Sequence, residues 1–270
     1  MPELPEVETV KETLKKSVLN LTINAIDIHY PKIIENDQDE FITTFSNQKI
    51  INIDRVGKYL IFIFEEVAFI SHLRMEGKYN LVDQHTLLSK HDHIVFHLDN
   101  GMELRYHDTR KFGRIEMVDR KYYRNKLPLS KLGDEPFFAN PKKVHERLLK
   151  TALPIKTVLL DQTIMAGIGN IYANEICFYM NIIPTTPANK LSLKRVEQLI
   201  EIAATVLQKA IDQGGTTIHS FSTGGIDGLF QVQLAVHGQK VCKVCGQEIT
   251  KKMVNQRGTY YCKKCQRRRT

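Results

Sequence analysis

Four cysteines and one proline carry the most legible chemistry in this 270-residue chain. Cys242-Lys-Val-Cys245 is followed, after 16 residues, by Cys262-Lys-Lys-Cys265. Two CxxC pairs at that separation suit one tetrahedral Zn²⁺, with each pair forming a knuckle and the stretch between them a hairpin. Four thiolates leave no open coordination position, so the metal is expected to be structural; the competing reading is a pair of redox motifs or unrelated thiols. About 30 residues cannot bury a core of their own, and the metal would supply the folding energy. Gln256-Arg257-Gly258-Thr259 reads as the hairpin tip, with Gly258 taking the turn and Arg257 pointing outward. The fifth cysteine, Cys177, lies in an apolar helical stretch and reads as a buried spectator.

At the other end, Met1 precedes Pro2. Removal of the methionine would leave a secondary amine. An α-amino group has a pKa of about 7.7–8.0 against about 10.4 for lysine. A useful fraction is therefore neutral at pH 7 and able to attack an aldehyde carbon, giving an iminium. Glu3 and Glu6 lie beside it as candidate proton donors. The same residues also suit a plain helix start, since proline and acids favour the first turn. Both readings stay open on this segment alone, and they are compatible.

Charge separates the two ends. Ten of the 38 Lys and Arg, and one of the 30 Asp and Glu, fall within 238–270, so this tail carries +9 and the rest of the chain −1. Four thiolates with Zn²⁺ would trim the tail to about +7. A basic metal module on a near-neutral body points to nucleic acid. Hydrophobic residues make up 42% and charged residues 25%, which excludes wholesale disorder. The longest apolar run, Tyr59 to Phe64, is far below the roughly 20 residues of a membrane helix. The N-terminus has no apolar signal-peptide core. The expectation is a cytoplasmic, nucleoid-associated bacterial monomer.

The elements that must position these groups follow from periodicity. Residues 3–19 read as a helix. Residues 50–54, 58–64, 67–70, 93–98 and 103–106 read as short strands, with a hairpin turn at Asp99-Asn100-Gly101, and suggest an antiparallel sandwich. Helical patterns follow at 141–150, 154–162, 169–180 and 192–213. The fold class expected is α+β: an N-terminal helix plus β-sandwich in 1–130, a helical domain in 131–237 and a β-hairpin zinc finger in 238–270. Three loops stand out: His72-Leu-Arg-Met75-Glu76-Gly77, His107-Asp-Thr-Arg110-Lys-Phe112-Gly113 and Met165-Ala-Gly-Ile-Gly-Asn170. Exposed Met, Arg and Phe at loop tips suit wedging into a base step, and a glycine-bounded helix start suits a phosphate. Taken one at a time, each loop also fits ordinary packing or turn chemistry.

Together the motifs resemble bacterial formamidopyrimidine-DNA glycosylase along the whole chain. They are Pro2-Glu-Leu-Pro-Glu-Val-Glu8, Arg55-Val-Gly-Lys58-Tyr-Leu60, the His72–Gly77 and His107–Gly113 loops, Gly167-Ile-Gly-Asn-Ile-Tyr172, and the four-cysteine finger with Gln256–Thr259. The resemblance implies a helix–two-turns–helix element and a bifunctional glycosylase and abasic-site lyase acting on double-stranded DNA that contains oxidised purines. It implies Pro2 as nucleophile at C1′, Glu3 as proton donor, and Lys58 and Arg257 as helpers of the eliminations. Met75, Arg110 and Phe112 would fill the void, with Arg110 facing the orphaned cytosine. His72, His91, Lys156 and Asn170 would contact the DNA backbone. Glu6, Glu76, Thr217 and His219 would read the lesion, the last two from a lid spanning 214–230. One structural zinc would sit on Cys242, Cys245, Cys262 and Cys265.

The sequence departs from the family in places. His219 stands where the lid usually has arginine, His237-Gly-Gln239 where the family has Tyr-Gly-Arg, and Lys263 where it has proline. Two other readings compete. An endonuclease VIII-like enzyme for oxidised pyrimidines typically begins Pro-Glu-Gly-Pro-Glu and lacks the Met, Arg, Phe set, so Leu4, Met75, Arg110 and Phe112 argue against it. A non-catalytic zinc-ribbon DNA-binding protein is the other; Pro2, Glu3 and Lys58 argue against that.

Overall fold

The computed structural model describes residues 1–215 and 233–267. The chain divides into two compact units, one spanning residues 1–130 and the other containing 131–215 with 233–267.

The first unit opens with α1 (Leu4–Val18), which buries Leu4, Val7, Val10, Leu14 and Val18 at helical spacing. A reciprocal cap starts this helix. The Glu3 carboxylate accepts from the backbone N–H of Glu6, and the Glu3 N–H donates to Glu6 Oε2 at 2.8 Å. Ten further elements follow: β1 (Thr22–Ile28), α2 (Gln38–Phe45), β2 (Gln48–Lys49), β3 (Asn52–Val56), β4 (Tyr59–Ile63), β5 (Val67–His72), β6 (Lys78–Asp83), β7 (Asp92–Leu98), β8 (Met102–His107) and β9 (Arg114–Asp119). They form a five-stranded sheet in the order β2-β1-β7-β8-β6 and a four-stranded sheet in the order β3-β4-β5-β9. Every strand pairing in both is antiparallel.

The expected sandwich is present, with more strands than the sequence displayed: β1, β2, β6 and β9, along with the short α2, gave no clear signal. Phe69 of β5 joins the two sheets. Its ring stacks on Phe62 of its own sheet at 4.5 Å and on Phe96 of the other at 5.7 Å, with 7° between the latter planes. Burying such a ring is worth about 1.5–3 kcal/mol, and Phe41, Phe45 and Phe64 extend the same core.

The second unit contains α3 (Pro141–Leu149), α4 (Ile155–Leu159), α5 (Asn170–Tyr179), α6 (Leu193–Asp212), β10 (Thr250–Val254) and β11 (Arg257–Tyr261). Asn140 caps α3 by accepting from the N–H groups of Lys142 and Lys143, with Pro141 in the first turn. Between α4 and α5 the chain turns on Gln162. Its amide donates to Leu160 O and Ile168 O and accepts from Gly167 N. Gly167 has φ +95, open to glycine and strained for other residues.

Two sequence expectations are corrected here. The turn of the finger hairpin falls on Asn255 and Gln256, at φ +44 and +60, and Gly258 lies inside β11, paired with Met253. A type I′ hairpin turn needs positive φ at both central positions; here Asn and Gln supply it, and Gln is an unusual choice. Met165 is not an exposed loop tip but a core residue, 2% exposed.

Candidate active site

Pro2 and Glu3 are buried where the chain enters α1. Both readings of the N-terminal motif hold as structure, because Glu3 and Glu6 form the helix cap while Pro2 sits directly ahead of it. Lys58 lies at the tip of the β3–β4 hairpin, in the two-residue turn closed by the Val56–Tyr59 pair. Arg55 braces that tip. Its Nε donates to Glu8 Oε2 of α1 at 2.7 Å and its Nη1 to the Gly57 carbonyl at 3.0 Å. Glu8 also takes a 2.6 Å bond from Lys11. Burial works to raise the Glu8 pKa, but the bonds from Lys11 and Arg55 outweigh it and hold the carboxyl below its usual range. The proline end of α1 and the lysine hairpin are thus tied through one ion-paired network.

His72 closes β5 and is 8% exposed. Burial first, then the charges of Arg74 and Lys58, push its pKa down to about 3. Its Nδ1 accepts the Arg74 N–H at 2.9 Å, so the ring is neutral with its proton on Nε2. Met75 follows, 40% exposed, and Phe112 on the second loop is 48% exposed. Apolar side chains held this far into water at loop tips suit a ligand that covers them. The Arg110 guanidinium lies 4.7 Å over the Phe112 ring.

The second loop is organised by Asp108, which is 0% exposed. Its carboxylate accepts from the backbone N–H groups of Arg110 (2.9 Å), Phe112 (2.9 Å) and Gly113 (2.8 Å). The Asp108 N–H donates to the carbonyl of His91, which places that histidine at the base of the same loop. Glu76 accepts a hydrogen bond from the Thr109 hydroxyl.

In the second unit Lys156 is 1% exposed. Its ammonium donates to Asn170 Oδ1 (2.7 Å), Gly258 O (3.0 Å) and Thr259 Oγ1 (2.7 Å). Asn170, the first residue of α5, also donates to Gly258 O at 3.2 Å. This cluster fixes β11, whose first residue, Arg257, is exposed.

The four finger cysteines present their sulfurs within 4.8 Å of one another. A tetrahedral site with Zn–S bonds of about 2.3 Å needs sulfurs about 3.8 Å apart. The Cys242–Cys265 and Cys245–Cys262 pairs are at 3.8 and 3.4 Å, so the donor set fits one zinc with no further ligand. Cys177 stays apart from them, fully buried, with burial raising its thiol pKa to about 12. The finger shares a small core with α5: Phe178, Ala235, Val236, Cys242, Ile249 and Cys262 pack together.

Comparison with known proteins decides the family. The chain matches the formamidopyrimidine-DNA glycosylase N-terminal domain over residues 1–115, the H2TH domain of that glycosylase over 132–222, and the zinc finger found in FPG and IleRS over 239–268. The chain belongs to the formamidopyrimidine-DNA glycosylase family. The formamidopyrimidine-DNA glycosylase of Oceanobacillus iheyensis is 45% identical over 273 residues, covering 98% of each chain. That of Bacillus licheniformis is 42% identical over 275 residues, covering 99% of this chain and all of the relative. Among solved structures, Lactococcus lactis Fpg in complex with abasic-site DNA matches with a TM-score of 0.93, at 37% identity over 98% of this chain and 99% of that one. The same organism's wild-type Fpg bound to DNA containing N7-benzyl-Fapy-dG gives 0.92 at the same identity and coverage. Family membership brings one structural zinc on the four cysteines.

Where the family usually has tyrosine before the finger, His237 accepts from Asn174 Nδ2 at 2.7 Å, with its ring 4.9 Å from Tyr260. Burial, then Lys156, lowers its pKa to about 4. Thr217 and His219 lie outside the described residues. Sequence reasoning missed three residues that hold the site in place. Asp108 had a usable signal, since an aspartate opening a loop readily bonds the N–H groups that follow it. Thr109 had none. Glu175 accepts from the N–H groups of Ala235, Val236 and His237, clasping the chain as it enters the finger from 60 residues away, which no local pattern reveals.

Proposed function

We propose that this protein excises oxidised purines, 8-oxoguanine and formamidopyrimidines, from double-stranded DNA and then cuts the strand at the resulting abasic site. The observation that carries this reading is the braced N-terminal cluster: Pro2 and Glu3 buried at the capped start of α1, with the Lys58 hairpin tied to that helix through Arg55 and Glu8. Removal of Met1 exposes the Pro2 amine. It attacks C1′ of the damaged nucleotide while Glu3 protonates the opening sugar, and loss of the base leaves an iminium. The iminium acidifies the C2′ hydrogen, so β-elimination and then δ-elimination cut the strand with no water acting as nucleophile. Lys58 assists the first elimination and Arg257 the second.

Extruding a base costs a few kcal/mol of unstacking. Met75, Arg110 and Phe112 offset that cost by filling the void, and their presence favours oxidised purines over pyrimidines. His72 and His91 are assigned to contacts with the DNA backbone, His72 as a neutral donor from Nε2. Lys156 acts by holding Asn170 and the Arg257 strand in place. Glu6 and Glu76 are assigned to lesion recognition along with Thr217 and His219. The division of labour is catalysis and wedging in 1–130, the helix–two-turns–helix element in 131–237 and the finger in 238–270.

Borohydride trapping on a duplex with one 8-oxoguanine opposite cytosine tests the reading. A covalent protein–DNA adduct is expected, and Pro2→Gly should abolish it. No adduct, or an adduct indifferent to Pro2→Gly, would refute the mechanism.

A further inference from the structure

The two loops that carry the wedge side chains are joined to each other. Thr109, just before Arg110, donates its hydroxyl to the carboxylate of Glu76, just after Met75. The hydroxyl end of the Tyr106 ring lies against both loops, at Gly77 and Gly113. A Cβ at Gly77 would come within 2.3 Å of the Tyr106 hydroxyl oxygen, and one at Gly113 within 1.6 Å. Asp108 fixes the base of one loop through its three backbone acceptances. The base of the other is fixed by the Gly77 N–H donating to Leu73 O at 2.9 Å.

We infer that Thr109 and Glu76 form a latch that makes Met75, Arg110 and Phe112 enter a base step as one body. This rests on the glycosylase reading and extends it from which residues wedge to what coordinates them. Exposed polar pairs contribute little to overall stability. This pair has leverage because of its position: it lies at the tips, above two rigid loop bases, adjacent to the inserting side chains on both sides. Two independent loops must each be ordered as they enter DNA. Latched loops meet that cost before binding, so the bond is felt in insertion and not in the chemistry at C1′. Thr109 is accordingly a positioning residue.

Thr109→Val keeps the shape and removes the donor; Thr109→Ser restores it. The readouts are single-turnover excision of 8-oxoguanine from a duplex, the rate at which 2-aminopurine beside the lesion becomes unstacked, and strand cleavage at an abasic site in a single-stranded oligonucleotide, which offers no stack to wedge. Thr109→Val should slow both duplex rates about three- to tenfold, the scale of one hydrogen bond. Thr109→Ser should recover them, and single-strand cleavage should be the same in all three proteins. Unchanged duplex rates in Thr109→Val would overturn the latch, as would equal slowing on the single strand. Inactivity of the unsubstituted protein on every substrate would overturn the glycosylase reading and the latch with it.

Discussion

Replacing Lys156 with methionine separates two roles that a buried lysine near DNA can play. The ammonium donates to three oxygens, on Asn170, Gly258 and Thr259. Two of these keep another partner when it goes: Gly258 O still accepts from Asn170, and the Thr259 hydroxyl still donates to Arg257 O at 3.0 Å. Asn170 Oδ1 loses the donor shown for it. Three charge-assisted bonds are worth about 1.5–3 kcal/mol each, but removing an ammonium from a buried site returns several kcal/mol of desolvation. With two oxygens still served, the net loss is about 2 kcal/mol. A unit of this size loses about 3–5 °C in Tm per kcal/mol, so Lys156→Met should melt about 6–10 °C lower. DNA affinity should fall with it, because both Asn170 and the Arg257 strand lose their anchor. Thermal melting and a salt titration of DNA binding are the assays. If Lys156 instead served as a plain phosphate contact, affinity would drop, the salt slope would fall by about 0.9, and Tm would hold or rise. An unchanged or raised Tm would refute the anchoring argument.

Two other outcomes follow from the site. Cys262→Ser should release the single zinc, measured by metal content of the purified protein, and weaken DNA binding; because the cysteines share a core with Phe178 and Val236, the second unit should also melt earlier. His72 and His237 are neutral in the fold, with pKa values of about 3 and about 4, whereas an unfolded histidine titrates near 6.5. The unfolded state therefore takes up protons first as pH falls below about 6.5, so each ring's contribution is complete above that pH and is lost down to about pH 3 for His72 and about pH 4 for His237. At pH 5 the loss is about 2 kcal/mol per ring. His237→Gln should flatten the fall in Tm between pH 7 and pH 5, and an unaltered fall would show that the ring does not set it.

The helices other than the short α2 were legible because their apolar residues recur at three and four, and the boundaries differ by a residue or two, except at α4, where the helix ends three residues early at Leu159. The strands without a clear sequence signal have specific compositions. β1 carries Asn24 and Asp27, β6 carries Asn80 and Asp83, and β9 carries Glu116 and Asp119, residue types depleted in strands. β2 is two residues long. The finger sequence points to Gly258 for the turn because glycine is the ordinary bearer of positive φ, whereas the chain turns on Asn255 and Gln256. In the site, the residues proposed to perform chemistry were only partly visible by type: Pro2 and Glu3 by their place at the N-terminus, Lys58 and Arg257 only through the family resemblance. Those that hold them were not, because a buried carboxylate such as Glu175 declares itself only through distant backbone partners. The burial of Lys156 among Asn170, Gly258 and Thr259 was not legible, because a lysine's burial is set by its neighbours in space.

The Tyr106 ring has a bearing on which substitutions the protein can accumulate, and in what order. The three nearest atoms to a new Cβ at Gly113 all belong to Tyr106, whereas one at Gly77 also meets the Leu73 carbonyl oxygen at 2.5 Å. A shorter side chain at 106 therefore opens position 113 to alanine but leaves 77 closed. In a mutational library the pair 106 and 113 should be contingent, with the tyrosine changing first, while position 77 stays glycine on every path.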